Sequence, residues 1–292
     1  MVCICMVERP TMHCAKTRNL CQDIGNGKKR YDFQTIFSPF STGYLGMRGK
    51  CLGCRICYMH HTSGGIGSVP RSFEELYPKL KASVNTGRTE LITDLIDPFL
   101  NVEVGNLILR ISTAMPSAKF NFITKLPEIA EEMLRRHVKE FEGVPYHIQV
   151  TTMKDGLPIR DIVKKTSSLL SIAKSVSCRL DPFVFGISSI DVLLEQIQEL
   201  AGIGVKRITT NTMKLHKGHE KLLPEIDLST YSDGDKAGTV RIVNAKTEYN
   251  YFETISDQCR RFNIGLGVCM SRPQVRVFET APCEGIELNE YK

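Results

Sequence analysis

The sequence predicts an α/β fold in which strands and helices alternate and a parallel sheet curls towards a full or partial barrel. Three observations carry that expectation. From about residue 31 short β-rich runs alternate with amphipathic stretches, the pattern of βα units feeding a parallel sheet. Right-handed crossovers make sequential units of this kind curl in one direction. Short polar motifs also recur where successive strands should end: Asp97-Pro98, Thr124-Lys125, Thr151-Thr152, Asp181-Pro182 and Asn211. In βα barrels the carboxyl ends of the strands carry the chemistry, so polar residues at that place in unit after unit point to one shared pocket.

Residues 1–30 are polar and irregular, contain Cys3, Cys5, Cys14 and Cys21, and read as an N-terminal extension. A first strand is expected over Tyr31–Phe37, followed by a long loop, 38–71, that holds Cys51, Cys54 and Cys57. Ser72, with Glu75 three positions later, forms a capping-box pattern that starts a helix running to Val84. A strand over Glu90–Leu95 ends at Asp97-Pro98, and Val102–Ser112 reads as a helix. Next come a strand over Lys119–Ile123 and a strongly amphipathic helix, Pro127–Phe141, rich in Glu and Arg. The same alternation continues with strand Tyr146–Thr151, helix Ile159–Ser175 and strand Val176–Leu180. Helix Ile190–Ala201 is stopped by Gly202 and Gly204, and strand Lys206–Thr210 follows. After an irregular segment, a helix over Asn250–Phe262 and a last strand, Gly265–Cys269, complete the set. The barrel is therefore bounded at 31–275, with residues 276–292 as a C-terminal tail.

Composition narrows the classes. A chain of 292 residues suits one large α/β domain or two small ones. A hydrophobic content of 42% is ordinary for a globular protein, and 24% charged residues is too few for a disordered tail. No run of about eighteen apolar residues is available to cross a membrane. MVCICMVERP lacks a basic region followed by an apolar stretch, so no secretory signal is expected and the location is cytoplasmic, the host cytoplasm if the chain is phage-encoded. In a reducing cytosol, 11 cysteines do not make a disulfide framework; they point to metal or catalysis. The net charge of +6 permits an anionic partner without establishing one. Its densest runs, around Lys28, Arg135 and Arg260, read first as solvated faces.

Lys50-Cys51-Leu52-Gly53-Cys54-Arg55-Ile56-Cys57-Tyr58 sets three thiols at two-residue spacing on a Gly-containing loop. That spacing lets three thiolates converge on one centre, and it equals the first three ligands of the C-x2-C-x2-C-x3-C ferredoxin run. His61 stands where the fourth Cys falls. Three readings are open. A [4Fe–4S] cluster held by three Cys leaves one iron free for another ligand. A Cys3His zinc site would use His60 or His61, although zinc ligands usually arrive as two pairs further apart. The third reading is three buried cysteines acting as small hydrophobes.

With these motifs in order, the sequence resembles the radical S-adenosylmethionine (SAM) enzymes, and among them the branch of spore photoproduct lyase. The resemblance rests on five segments spanning about residues 31–210. They are Cys51…Cys57-Tyr58 after the first strand, Ile96-Asp97-Pro98-Phe99-Leu100-Asn101-Val102-Glu103 after the second, Phe122-Ile123-Thr124-Lys125, Val150-Thr151-Thr152, and Arg179-Leu180-Asp181-Pro182. Two departures stand out. The gap between Cys51 and Cys54 is one residue shorter than the family's usual Cys-x3-Cys, and no Cys lies between Tyr58 and Cys178, where the photoproduct lyases carry their hydrogen-donating Cys.

The resemblance implies a partial (βα)6 TIM-type barrel that uses two cofactors, a [4Fe–4S] cluster and SAM. It implies that Cys51, Cys54 and Cys57 bind the cluster, while the fourth iron takes the amino and carboxylate groups of SAM. An external one-electron reductant then drives cleavage to a 5′-deoxyadenosyl radical. Tyr58 is expected against the adenine or at the reacting centre, or simply packing the loop. Asp97 and Glu103 are expected near the SAM amino group or ribose; Glu103 equally suits the first turn of a helix. Lys125 is expected to neutralise the SAM carboxylate, and Thr151 and Thr152 to meet the ribose. Arg179 and Asp181 alternate on one strand, so both point the same way, into the pocket or into an internal ion pair. Cys178 and Cys269 sit in expected strands as possible hydrogen donors, or as buried structural cysteines.

The substrate class that follows by resemblance is thymine in DNA. The missing donor Cys favours an isomerisation of a modified thymine, as in hypermodified phage DNA, because the abstracted hydrogen can return from 5′-deoxyadenosine. A photoproduct lyase-like repair enzyme is the first alternative. A non-catalytic nucleic-acid-binding protein with a zinc or Fe–S centre is the second. No membrane partner is expected.

Overall fold

The computed structural model describes residues 34–37, 71–87, 90–93, 97–99, 102–216, 218–234, 240–269 and 271–283. Strand β1 covers Gln34–Phe37, helix α1 Phe73–Asn85, β2 Glu90–Thr93, α2 Val102–Ala114 and β3 Lys119–Thr124. Helices α3 and α4 are Pro127–Arg136 and Val138–Glu142, and β4 is Tyr146–Thr151. A hairpin, β5 (Met153–Lys154) and β6 (Leu157–Pro158), precedes α5 (Ile162–Leu170), β7 (Val176–Phe183), α6 (Ile190–Gly202) and β8 (Arg207–Thr212). Then follow β9 (Leu215–His216), α7 (His219–Leu222), β10 (Tyr231–Asp233), β11 (Val240–Val243), α8 (Ala245–Arg261) and β12 (Gly265–Val268).

Seven strands form one sheet in the order β1-β2-β3-β4-β7-β8-β12, every neighbouring pair parallel. The order follows the chain, so each crossover steps to the next strand on the same side and the sheet curls one way. The sheet stays open, with no ladder between β1 and β12 among the described residues. This is the α/β partial barrel that the alternation of strands and helices predicts, and the expected seven strands recur in order.

The core lies between the convex face of the sheet and the helices. Phe120, Phe122, Ile148, Val150, Leu180 and Ile208 are at most 1% exposed, and each such side chain contributes about 1.5–3 kcal/mol through burial. Phe99, Phe122, Tyr146 and Phe141 make a chain of ring contacts with centroids 5.5 to 6.3 Å apart. Side-chain caps open two of the helices, the first of them where the Ser72–Glu75 pattern predicts. Ser72 accepts from the Glu75 amide at 3.1 Å, and Asn244 Oδ1 accepts from the Thr247 amide at 2.9 Å.

Four differences from the expected elements have local causes. The helix expected over Pro127–Phe141 breaks at His137, whose φ of −124° and ψ of 35° are not helical; the short α4 then turns Phe141 onto Tyr146. The helix expected to start at Ile159 starts at Ile162, because residues 153–158 form a hairpin instead. Its turn is Asp155-Gly156, both at positive φ (51° and 81°), the pairing that tight hairpins favour. The helix expected from Asn250 begins at Ala245 behind its Asn244 cap. The segment between β8 and α8 is ordered as an antiparallel sheet, β10-β11-β9. Its own apolar cluster includes Met213, Leu215, Leu223, Ile226, Tyr231 and Val243. Gly186, at φ +90°, lets the loop after β7 approach this insertion so closely that a Cβ there would meet the backbone of Glu225 and Asp227.

The part of the tail that is described is built into the barrel. Residues 273–278 form a 3-10 helix, and Thr280 and Ala281 both donate their amides to the Leu266 carbonyl on β12 (2.8 and 3.0 Å). No helix among the described residues is long and apolar enough to cross a membrane.

Candidate active site

Side chains alternate along a strand, so each parallel strand offers one row to the helices and one to the concave face. His147, Gln149 and Thr151 share one row on β4, Ser177, Arg179 and Asp181 one on β7, and Thr209 and Asn211 one on β8. Contacts that skip a strand identify these rows as concave. Gln149 Nε2 donates to Thr209 Oγ1 at 3.2 Å although β7 lies between them, and Arg179 Nη2 lies 3.4 Å from Cys269 Sγ across β8. The opposite rows carry the apolar core. The concave face is thus polar along several strands, where a fully buried parallel strand would be apolar on both faces.

Arg179 and Asp181 are the charged centre of that face. Arg179 Nη2 donates to Asp181 Oδ2 at 2.6 Å and Nε reaches both carboxylate oxygens at 3.2 Å. The third nitrogen, Nη1, donates to Gln149 Oε1 at 3.0 Å. Both charged side chains are under 15% exposed, so the fork is held in one orientation by partners on two strands. Of the two orientations open to Arg179 and Asp181, both hold at once: they face the interior, and they pair there.

Asp97 organises the neighbouring strand ends. Its carboxylate accepts from the Phe99 amide (3.0 Å), the Thr124 hydroxyl (2.8 and 2.9 Å) and the Lys125 amide (2.7 Å). These bonds tie the loop after β2 to the end of β3. Burial pushes the Asp97 carboxyl above its ordinary value, against the pull of the Lys125 and Phe99 amides, the Thr124 hydroxyl and the Lys125 ammonium.

Thr151 is buried on the concave row beside the end of β3, where Lys125 follows. Thr152 faces the other way: its hydroxyl lies 3.2 Å from both the Arg179 carbonyl and Gln196 Oε1 of α6. Glu103 is exposed in the first turn of α2. Cys178 sits on the convex row of β7 inside the apolar core, fully buried, and burial pushes its thiol up. Cys51, Cys54, Cys57 and Tyr58, with His60 and His61, lie outside the described residues. Among the described residues no group of three or more His, Cys, Asp or Glu is arranged to hold a metal ion.

The structure adds residues that the motifs do not single out. Gln149 orients Arg179 and, with Thr209, binds the Cys283 carbonyl (3.0 and 2.7 Å). His147 is fully buried between the Ser175 and Ser177 hydroxyls, at 2.9 and 2.8 Å. The signal for both was present: polar residues at every second position of strands β4 and β7.

No protein-family model matches the chain, and no curated protein aligns with it significantly. Solved structures do match. A Cys-to-Ala variant of spore photoproduct lyase, with a dinucleoside spore photoproduct, superposes with a TM-score of 0.57 at 14% identity, covering 86% of this chain and 87% of that one. The fold is that of the radical SAM partial barrel. Streptococcus suis SuiB bound to S-adenosylmethionine also superposes on this barrel, with a TM-score of 0.57 at 10% identity. There 84% of this chain covers 52% of SuiB, so the chain spans about half of that protein. SuiB bound to its precursor peptide SuiA gives a TM-score of 0.55 over similar shares. Asp97, Lys125, Thr151, Arg179 and Asp181 lie at or just beyond the ends of the adjoining strands β2, β3, β4 and β7.

Proposed function

We propose that this chain is a radical SAM enzyme that rearranges a thymine-type base in DNA. The observation that carries the reading is the two-way match with spore photoproduct lyase: nearly all of each chain pairs with the other, whereas SuiB has a half without counterpart here. The donor set suits the cofactors. Cys51, Cys54 and Cys57 offer three thiolates and no fourth Cys at the next ligand spacing, which fits a cluster with one open iron. Lys125 is the strand-end cation that suits an anionic ligand, since the Arg179 charge is balanced by Asp181. When bound, the cluster and SAM supply a 5′-deoxyadenosyl radical that abstracts hydrogen from the substrate.

The remaining work belongs to the chain. Lys125 neutralises a carboxylate at the end of β3. Thr151 offers its hydroxyl to the ribose, and Tyr58 its ring to the adenine. Arg179, fixed by Asp181 and Gln149, holds its guanidinium on the concave face without freedom to swing, and the Asp97 bonds hold the β2 and β3 ends in register. Such fixed groups position the reacting carbon against the substrate hydrogen.

Rearrangement is favoured over lesion repair by the cysteine pattern. No Cys stands between Tyr58 and Cys178, Cys178 faces the helices, and Cys269 is engaged by Arg179 and Cys283. A rearrangement returns hydrogen from 5′-deoxyadenosine and needs no separate donor. A peptide substrate is the second reading, favoured by the SuiB–SuiA complex alone.

The test begins with anaerobically purified protein and a one-electron reductant. About four irons and four sulfides per chain, with SAM cleavage on reduction, are expected, and Cys54→Ala abolishes both. Stoichiometric zinc without SAM cleavage overturns the enzyme reading in favour of a zinc-containing nucleic-acid-binding protein. Mass spectrometry of DNA nucleosides after incubation with reduced enzyme and SAM then reads the substrate; unchanged nucleosides alongside a modified peptide overturn the DNA assignment.

A further inference from the structure

Two cysteines fourteen positions apart meet on the concave face. Cys269 follows β12 and is fixed there by its amide bond to the Thr210 carbonyl at 3.1 Å. Cys283 arrives from the opposite direction, after residues 280–282 have run back along β12. Its carbonyl is clamped by Gln149 and Thr209, and Gly267 leaves the space it needs: a Cβ there would lie 2.9 Å from Cys283 Cα and 2.8 Å from the Pro282 carbonyl oxygen. The Cys283 thiol hydrogen-bonds the Cys269 sulfur, and Arg179 Nη2 approaches that sulfur at 3.4 Å. Neither cysteine is bonded in a disulfide here. Cys269 is 9% exposed, while Cys283 is half-buried and so meets a soluble reagent first.

We propose that Cys269 and Cys283 form a thiol–disulfide exchange site for a small soluble disulfide of the glutathione class. Cys283 is the entry sulfur and Cys269 the resolving one. Cys283 passes its thiol proton to the Cys269 thiolate as it attacks one sulfur of the soluble disulfide; a mixed disulfide forms, and the small thiolate that leaves takes that proton from Cys269. The Cys269 thiolate then attacks Cys283 Sγ, forming the Cys269–Cys283 bond and releasing the second small thiolate. The two protein thiols lose two protons and two electrons, and the soluble disulfide becomes two thiols. The hydrogen bond from Cys283, with a smaller contribution from Arg179, draws the Cys269 thiol down to about 7, so a large share of it is thiolate at neutral pH. Oxidation takes that thiolate from beside Arg179 and ties residues 280–283 covalently to the end of β12. The state of the pair therefore alters the charge on the concave face.

The test uses the purified full-length protein under anaerobic conditions, equilibrated with oxidised and reduced glutathione in varied ratio, acid-quenched, alkylated and digested for mass spectrometry. A cross-linked peptide joining Cys269 to Cys283 is expected as the oxidised share rises, and its loss as the ratio is reversed. In Cys269→Ser the reaction halts one step earlier, with glutathione accumulating on Cys283. Both cysteines recovered alkylated in oxidised glutathione, Cys269 joined to any other cysteine, or Cys269→Ser without the Cys283 adduct would each overturn the proposal. The readout is a covalent bond, so a negative result leaves the SAM chemistry untouched, and loss of SAM cleavage leaves the pair untouched.

Discussion

Arg179 shows how tightly one charged side chain is held on the concave face. Its guanidinium is divided between Asp181, Gln149 and Cys269, and the Arg179–Asp181 pair is mostly enclosed. Removing one member of such a pair strands the other, which costs about 3–5 kcal/mol. Arg179→Ala is therefore expected to lower the unfolding free energy by that order, read from urea titrations even in protein without cofactors, while Asp181→Asn, which keeps a hydrogen-bonding partner for Arg179, costs less. Asp97 makes a prediction of the opposite sign to that of an ordinary paired carboxylate. Its folded pKa lies above the ordinary 3.8, so its contribution to stability is complete below 3.8 and shrinks as pH rises through the raised value. The stability gap between wild type and Asp97→Ala is expected to be widest in acid and to narrow towards neutrality, as read by urea unfolding of both proteins between about pH 3 and pH 7.

At the level of elements, the last strand matters more than its length suggests. Gly265 and Gly267 on β12 admit the returning chain: a Cβ at Gly265 would meet the Ala281 methyl at 2.9 Å, and one at Gly267 the main chain of Pro282 and Cys283. Gly267→Ala is expected to push residues 281–283 off the strand and to cost about 1–3 kcal/mol through overpacking. Thermal unfolding checks the loss, and limited proteolysis checks that the new cleavage falls after β12. Most elements were legible in advance because their signals are local. Ser72 and Glu75 mark the start of α1, Pro127 that of α3, and the β-branched and aromatic runs mark the strands. The insertion between β8 and α8 was not legible. Its strands have two to four residues, and its cluster gathers Met213, Tyr231 and Val243, far apart in sequence, around Val184. The Asp155-Gly156 hairpin was legible in principle, since that dipeptide suits two successive positive φ values.

For the whole molecule, the open sheet forms a partial barrel with a polar concave face. Strand ends from β2 to β7 carry Asp97, Lys125, Thr151, Arg179 and Asp181 in the order of the chain. If the reaction is a rearrangement that returns its hydrogen, SAM serves as a catalyst. Modified nucleoside is then expected to exceed 5′-deoxyadenosine by many-fold in a timed reaction with DNA substrate. Equal amounts of 5′-deoxyadenosine and product would instead show that the hydrogen does not return from 5′-deoxyadenosine and that another donor quenches the product radical. The measurement is liquid chromatography of both species from one sample.

The sequence by itself determined the parallel α/β architecture, the seven sheet strands and the polar motifs at their ends, because hydrophobic period, capping residues and strand-end chemistry are properties of short segments. It also determined the Cys51, Cys54 and Cys57 spacing. Tertiary structure alone decided which polar residues share a face and what each one touches. Only strand order and register put Gln149 against Arg179, turned Cys178 and Thr152 away from the interior, and closed the Asp97 bonds between β2 and β3. Only the return of the chain past β12 brought Cys283 to Cys269. Hydrogen bonds and ion pairs act over a few ångströms, and residues separated by tens of positions come within that reach only after the sheet has curled.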